Sequence, residues 1–155
     1  MRASAEGRRP RLRFLAVAAA VLALDQLTKA AAAARLETGT PVPLAGGLLR
    51  LTLTHNPESA FGLVSARWFL IAVGGLVCSG ILAYVFLSEG GTRTGRRAWP
   101  LGLVFGGSLG NLMDRVRTGG VYDLIDLTVW PVFNLADVAI TVGVAALLLS
   151  MVRRH

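Results

Sequence analysis

The chain has 155 residues, of which 54% are hydrophobic and 16% are charged, and its mean hydropathy is +0.58. A soluble domain of this size carries about a quarter charged residues, so the composition predicts that lipid covers much of the surface and excludes a disordered chain. The net charge of +7 does not indicate a nucleic-acid partner, because the basic residues lie beside apolar segments. Cys78 is the single cysteine, which excludes a disulfide framework or a thiolate zinc site.

Four apolar runs are each close to the about 20 residues that a membrane helix requires, and they predict spans at about 14–34, 68–88, 99–114 and 133–152. The first run follows four arginines and is also compatible with a secretory signal peptide. The polar residues Asp25, Gln26, Thr28 and Lys29 interrupt it where a signal peptide stays apolar, so we interpret it as a retained helix. Ten of the 16 Lys and Arg residues then fall on one side of the membrane, together with both termini. Because the basic side of a membrane protein faces the cytoplasm, this predicts that both termini are cytoplasmic.

Two segments, 35–67 and 115–132, are predicted to lie outside the cytoplasm. The first turns at Gly46-Gly47 and then alternates leucine with polar residues, a period of two that predicts a half-buried strand. Residues 121–127 are compatible with a strand or with one or two helical turns. The predicted fold class is a mainly α membrane protein with four transmembrane helices and a small extracytoplasmic β-sheet, forming a single membrane domain over residues 1–155.

Glycines recur along the third predicted span. Gly102, Gly106 and Gly110 have four-residue spacing, and Gly107 lies beside them. Small residues at this spacing let the backbones of two membrane helices approach closely. We therefore interpret these glycines as a tight helix contact rather than as part of a chemical site.

Polar side chains within or beside the spans are costly, so each is expected to have a partner or a function. Asp25 and Lys29 are four residues apart and can pair on one helical face. Asn56 follows the predicted strand, where its amide is suited to an extended peptide backbone. His55 and Glu58 beside it are interpreted as solvated residues of an outer loop.

Two further polar groups close the third span and open the fourth. Asn111, Asp114 and Arg115 share a helical face, and Asp114 with Arg115 is also compatible with a purely structural ion pair. Asn134 and Asp137 share a face at the start of the last span. Both groups are predicted to lie on the same side of the membrane.

Asp123 and Asp137 are candidates for chemistry, because both are predicted to lie on the same side of the membrane at similar depth, flanked by apolar residues. Two such carboxyl groups, when close together, share a proton and can act as a base on water and an acid toward a peptide carbonyl. Asp126 and Asp114 remain alternatives to Asp123. The sequence offers no competing metal-ligand set, GxSxG motif or phosphate-binding loop, so we expect neither a metal nor a cofactor.

These signatures resemble the lipoprotein signal peptidase (signal peptidase II) family of bacterial membrane aspartic peptidases. The resemblance rests on five motifs in order along the chain, namely Asp25-Gln26-x-Thr28-Lys29, Asn56 with Ala60-Phe61-Gly62, Gly110-Asn111-x-x-Asp114-Arg115, Val121-x-Asp123 and Phe133-Asn134-x-Ala136-Asp137. It implies removal of the signal peptide from prolipoproteins, with cleavage before a diacylglyceryl-modified cysteine and Asp123 and Asp137 as the catalytic pair.

The resemblance also implies supporting roles for other polar residues. Asn56, Asn111, Arg115 and Asn134 would hold the substrate or position the catalytic pair, and Asp25 and Lys29 would support the site. Glu58 stands where the family usually has a glycine, so we expect a stiffer and charged loop at that point.

The implied location is the bacterial cytoplasmic (inner) membrane, crossed several times, with the active site at the extracytoplasmic face. The implied partners are diacylglyceryl-modified prolipoproteins and membrane lipid, and the expected state is a monomer. A competing function is a small four-span proton-coupled transporter, which would place one dominant acidic residue near the bilayer midplane. An inactive lipoprotein scaffold would be expected to lack one member of the carboxyl pair.

Overall fold

The computed structural model describes residues 3–57, 64–87 and 92–152, without the side chains of residues 3–7, 45, 64–67 and 92–94. The described residues contain four helices, which are α1 (Ala3–Arg35), α2 (Val64–Leu87), α3 (Thr92–Thr118) and α4 (Leu135–Val152). They also contain three strands, which are β1 (Val42–Leu44), β2 (Leu49–Pro57) and β3 (Gly120–Asp126). The predictions for Glu58 and for residues 60–62 lie outside the described residues.

Within the described ranges, three helical segments have the length and composition to cross a membrane. They are Arg8–Arg35 in α1, Trp68–Leu87 in α2 and Leu135–Val152, which is α4. The predicted span 99–114 is helical, but α3 does not have the composition of the other three, because polar residues occur at both of its ends. The length and composition of three helices therefore fit the predicted spans, and the fourth predicted span stays a prediction.

The helices extend further than the predicted spans. α1 begins at Ala3 rather than near residue 14, and α3 runs from Thr92 to Thr118 rather than from 99 to 114. Residues 92–98, which lie between the second and third predicted spans, are therefore helical, and the predicted outer segment 115–132 begins inside α3. An apolar run predicts where a helix can meet hydrocarbon, whereas helical hydrogen bonding can continue into polar flanks.

The three strands form an antiparallel sheet in the order β1-β2-β3. The turn between β1 and β2 contains Gly46 and Gly47 with φ values of 73° and 89°, which glycine adopts without steric cost, as the sequence predicts. Residues 121–127, for which a strand and helical turns were both compatible, form β3 as far as Asp126. β2 continues through Pro57, so Asn56 lies within the strand rather than after it, opposite Val121.

All three strands lie at one end of the helix bundle, which we call the sheet end. α1 and α3 end there, and α4 begins there. Leu53 and Leu124 of the sheet are buried together with Ala32 near the end of α1, so the sheet is packed on the bundle. The sheet end therefore gathers residues from α1, α3, β3 and α4.

α3 packs against all three other helices. A Cβ atom on Gly102 would lie 2.8 Å from the carbonyl oxygen of Phe14, and one on Gly106 would lie 2.6 Å from that of Ala18. Gly107 makes an equally close approach to α4. The predicted small-residue contact is confirmed, and it lets the polar side chains at the end of α3 reach both α1 and α4.

Candidate active site

Two carboxyl groups from different elements meet a pair of side-chain amides at the sheet end. Asp123 lies on β3 and is 8% exposed, and Asp137 lies in the first turn of α4. Asn134 Nδ2 donates a hydrogen bond to Asp123 Oδ1 at 2.7 Å, and Asn111 Nδ2 donates one to Asp137 Oδ1 at 2.8 Å. Asn134 Nδ2 also donates to Asn111 Oδ1 at 3.1 Å. These two asparagines, here called the amide bridge, connect the two carboxyl groups.

Asn134 is also the N-cap of α4. Its Oδ1 accepts the backbone N–H of Asp137 at 3.0 Å, and Asp137 Oδ2 accepts the backbone N–H of Asn134 at 3.2 Å. This reciprocal pair has the geometry of a capping box, which satisfies two N–H groups that a helix start leaves free. Asn134 and Asp137 therefore lie on one face because together they cap the start of α4. The same contact ties the position of Asp137 to Asn134, the residue that donates to Asp123.

A buried ion cluster lies next to the amide bridge. Lys29 is 4% exposed, and its Nζ lies 2.8 Å from Asp25 Oδ2 and 2.7 Å from Asp114 Oδ2. The predicted pairing of Asp25 with Lys29 is confirmed. Asp114, which was expected to pair with Arg115, has its carboxyl group bound by Lys29 and by Gln26 Nε2 at 2.9 Å. Sequence spacing could not reveal these partners, because they belong to another helix.

Lys29 also orients the amide bridge. Its Nζ donates to Asn111 Oδ1 at 3.0 Å, and the same oxygen accepts from Asn134. With its oxygen committed to two donors, the amide of Asn111 turns its NH₂ group toward Asp137. The ion cluster therefore determines which end of Asn111 faces the carboxyl pair.

Asp25 holds the start of α4 against α1. Its Oδ1 accepts the backbone N–H of Ala136 at 3.0 Å, which is another free donor of the first helical turn. The side chain fits because position 110 is glycine, where a Cβ atom would lie 2.6 Å from Asp25 Oδ2. Asp25 and Gly110 therefore fix the start of α4, which carries Asp137, against α1.

The surroundings of Asp123 make its protonated form more favourable than it is for an exposed carboxyl group. Burial raises the pKa of Asp123 to about 6, because removal from water disfavours the charged carboxylate. The hydrogen bond from Asn134 opposes this rise, and the negative charge of Asp137 adds to it. A carboxyl group with this pKa can hold a proton near neutral pH and give it up during a reaction.

The two alternatives to Asp123 have other contacts. Asp126 accepts hydrogen bonds from Thr52 Oγ1 at 2.9 Å and from the backbone N–H of Thr128 at 2.7 Å. The bond from Thr128 lowers the pKa of Asp126, so this carboxylate closes a turn. Asp114 binds Lys29, as described above. Within the described residues, no three His, Cys, Asp or Glu side chains are grouped to hold a metal ion.

Two of the predicted site residues, Asn56 and Arg115, have not yet been placed. Asn56 is exposed near the end of β2, and Arg115 is partly buried in the last turn of α3, next to Asp114. Both lie at the sheet end. Gln26, which the sequence assigned no separate role, links the ion cluster to α3 by its bonds to Asp114 and to the carbonyl oxygen of Gly110.

An apolar groove of about 360 Å³ opens beside Asp137. Val138 and Val142 on the exposed face of α4 form one side of it. Its remaining lining comes from Leu127, Trp130, Phe133 and Thr141. The groove therefore connects one carboxyl group of the pair with the surface that α4 offers to lipid.

Comparison with known proteins gives the same family as the sequence motifs. The family model described as signal peptidase (SPase) II matches residues 17–153. The chain belongs to the signal peptidase II family. The predicted resemblance is thereby confirmed over nearly the whole chain.

Relatives and solved structures agree with this membership. A lipoprotein signal peptidase of Moorella thermoacetica is 44% identical, covering 86% of this chain and 89% of the relative. One of Brevibacillus brevis is 39% identical, covering 89% and 93% of the two chains. Two bacterial membrane enzymes solved by the in meso method superpose with TM-scores of 0.79 and 0.80, at 25% and 26% identity, covering 90% and 89% of this chain and 87% and 91% of theirs.

As a signal peptidase II family member with three helices of membrane-spanning character, the chain is an integral membrane protease. Its amide bridge and carboxyl pair lie in the part of the chain that the family model covers. Most of the motif residues on which the resemblance rests are thus also residues that the fold brings together at the sheet end.

Proposed function

We propose that this chain is an aspartic endopeptidase that removes the signal peptide of bacterial prolipoproteins, cleaving before the diacylglyceryl-modified cysteine. The observation that carries the proposal is the amide bridge, which connects Asp123 and Asp137 beside an apolar groove. The name of the relatives, lipoprotein signal peptidase, supports the class of substrate.

In the proposed reaction, the two carboxyl groups have different starting states. Asp123, whose pKa is raised to about 6, holds the shared proton and donates it to the carbonyl oxygen of the scissile peptide bond. Both oxygens of Asp137 accept hydrogen bonds from nitrogen donors, an arrangement suited to a carboxylate. Asp137 therefore takes a proton from the attacking water and passes it to the amide nitrogen of the scissile bond. As the C–N bond of the tetrahedral intermediate breaks and the new amino terminus leaves, a hydroxyl group of the intermediate returns a proton to Asp123.

The groove beside Asp137 suits the lipid part of this substrate. The diacylglyceryl group is attached to the cysteine that follows the scissile bond, so its acyl chains begin close to the reacting carbonyl. An apolar groove that opens toward lipid lets an acyl chain enter from the bilayer without crossing water. We assign Asn56 and Arg115, which lie outside the amide bridge, to the backbone of the bound peptide.

The proposed membrane arrangement has four spans in a single domain over residues 1–155. α3 lies alongside three helices of spanning character, and its glycine contact with α1 keeps its polar face away from lipid. The bias of basic residues places both termini in the cytoplasm, so the sheet end and its carboxyl pair lie at the extracytoplasmic face of the inner membrane. The enzyme acts as a monomer without a metal.

Cleavage of a diacylglyceryl-modified prolipoprotein in detergent, followed as a gel shift, tests the proposal. We expect Asp123→Asn and Asp137→Asn each to lower the rate by at least about 10²- to 10⁴-fold, which is the usual contribution of a positioned acid or base. Asp126→Asn is the matched control and should cleave at nearly the wild-type rate, because Asp126 closes a turn outside the amide bridge. A chelator should leave all rates unchanged.

Two outcomes would contradict the proposal. Dependence on Asp126 instead of Asp123 would mean that a different carboxyl pair acts. A folded wild-type protein without cleavage would favour the transporter or scaffold function, and proton flux in vesicles would then separate those two.

A further inference from the structure

A second cavity, of about 250 Å³, lies at the end of the bundle opposite the carboxyl pair. It is formed between three helices, by Tyr84 of α2, Arg97 and Leu101 of α3, and Leu147 and Met151 of α4. Arg97 and Asn111 are fourteen positions apart on α3, which corresponds to about 21 Å along the helix. This cavity is therefore separate from the candidate active site.

Arg97 brings a weakly hydrogen-bonded guanidinium group to this cavity. Its Nε is buried and has no hydrogen-bond partner among the described residues. Its Nη1 donates to the hydroxyl group of Tyr84 at 3.4 Å, which is long for such a bond. Arg11 at the same end differs, because its Nη2 donates to the carbonyl oxygen of Phe86 at 2.8 Å. Because Nε is enclosed, a ligand in the cavity meets the exposed end of the guanidinium group beside the Tyr84 hydroxyl, and the positive charge there favours an anion.

The charge of this end supports the same conclusion. Ten of the 16 Lys and Arg residues belong to this side of the chain in the predicted topology. The acidic residues of the same segments are Glu6 and Glu89, whose side chains lie outside the described residues. The excess of arginine leaves this end strongly positive and attractive to an anionic membrane surface.

The remaining lining is suited to a lipid chain. Leu101 is buried, whereas Met151 is 57% exposed on the outside of α4, so the apolar part of the cavity opens toward the bilayer. A phosphate at Arg97 and Tyr84 with a chain running past Leu147 and Met151 would satisfy the polar and the apolar lining together.

We propose that this cavity binds an anionic glycerophospholipid, with its phosphate held by Arg97 and the hydroxyl group of Tyr84. Basic pockets between membrane helices at the cytoplasmic side commonly receive such headgroups. The bound lipid supplies acceptors to the exposed end of the Arg97 guanidinium group and joins α2, α3 and α4 at the end away from the catalytic pair. The site depends on membrane insertion and is independent of the proposed cleavage reaction.

Native mass spectrometry of the purified full chain in a neutral detergent, titrated with phosphatidylglycerol or phosphatidylcholine, tests the site. We expect wild-type protein to bind phosphatidylglycerol more tightly than phosphatidylcholine. Arg97→Gln should weaken phosphatidylglycerol binding by about fivefold or more, which corresponds to about 1 kcal/mol for one basic contact. Arg96→Gln is the matched control, because it removes the same charge from the exposed neighbouring position.

A second variant and a competitor distinguish this site from general charge attraction. Tyr84→Phe removes one hydroxyl group and should weaken phosphatidylglycerol binding less than Arg97→Gln. It tests the same site if the Arg97→Gln variant does not fold. Inorganic phosphate at the same concentrations should not compete. Equal losses in Arg96→Gln and Arg97→Gln would overturn the proposal in favour of general charge attraction. Equal binding of the two lipids, or competition by free phosphate, would also overturn it.

Discussion

At the scale of single residues, the side chain of Asn134 makes three contacts that are usually made by different side chains. It caps α4, it donates to Asp123, and it joins Asn111 in the amide bridge. Because one side chain makes all three contacts, the position of the helix and the ionisation of Asp123 are coupled. A substitution at this position can separate these contributions if it keeps the cap and removes the amide donor.

The ionisation of Asp123 predicts the pH dependence of cleavage. The proposed mechanism needs one proton on the carboxyl pair, and Asp123 loses its proton as the pH rises through about 6. We therefore expect kcat/KM to fall on the alkaline side of about pH 6, with an apparent pKa that belongs to the pair. The measurement is the cleavage rate at substrate concentrations well below KM. It covers about four to five pH units, from pH 4.5 to 9, a range that includes this pKa.

Asn134→Ser tests the origin of this pKa. Serine keeps a good N-cap oxygen but lacks the NH₂ group that stabilises the charged form of Asp123. The alkaline limb of the profile should then move to higher pH by about one unit. A limb that stays in place or moves to lower pH would show that Asn134 does not set the ionisation of Asp123.

Residue spacing predicted contacts within one helix and missed those between helices. The pairs Asp25 with Lys29, and Asn134 with Asp137, follow from helical periodicity and are present. The bond from Lys29 to Asp114 depends on how α1 and α3 are rotated against each other, which the spacing does not contain. The choice of Asp123 over Asp126 as the catalytic carboxyl came from the family resemblance, and it stays a prediction.

At the scale of elements, the contact between α1 and α3 decides whether the site can form. Gly102 and Gly106 bring the two backbones close enough for Lys29 to reach the end of α3. The sequence predicted this contact, because small residues at four-residue spacing are diagnostic in membrane helices. The sequence did not predict the full length of α3. The apolar run ends at the polar flanks of this helix, whereas hydrogen bonding and packing continue the helix through them.

Substitution of Gly106 by alanine tests the role of this contact. The new Cβ atom would lie 2.6 Å from the carbonyl oxygen of Ala18, so the helices must move apart. We expect a loss of stability of about 1–3 kcal/mol, as for other overpacked sites, together with a lower cleavage rate. Thermal unfolding in detergent and the gel-shift assay measure the two effects.

Gly75→Ala in α2 is the matched control for Gly106→Ala. A Cβ atom at position 75 would meet no described atom within 4 Å, so stability and cleavage should be nearly unchanged. Equal effects of the two alanines would mean that the close approach of α1 and α3 is not required.

At the scale of the whole molecule, the two ends of the bundle have opposite character. The sheet end gathers carboxyl and amide groups, and the other end carries the arginines Arg11 and Arg97. The predicted orientation follows from this asymmetry, because basic residues stay in the cytoplasm during insertion. The sequence predicted a third span from the apolar run at 99–114. The composition of α3 does not bear this out, but its packing against three helices of spanning character supports it.

Labelling of introduced cysteines tests this orientation. In a Cys78→Ala background, we expect Val129→Cys to react with a membrane-impermeant maleimide in intact spheroplasts, because position 129 is 91% exposed at the sheet end. Arg96→Cys at the opposite end should react only after permeabilisation. The reverse pattern would invert the topology and place the carboxyl pair in the cytoplasm.

The order of the elements along the chain has a consequence for biosynthesis. Asp137 lies on the last helix, and its position depends on Asp25 of the first helix, which binds the start of α4. A nascent chain emerging from the ribosome therefore lacks one of the two proposed catalytic carboxyl groups until α4 has been made and docked. Proteolytic competence would arise only after α4 has been made and docked on α1, so that an incompletely inserted molecule could not attack proteins at the translocation site.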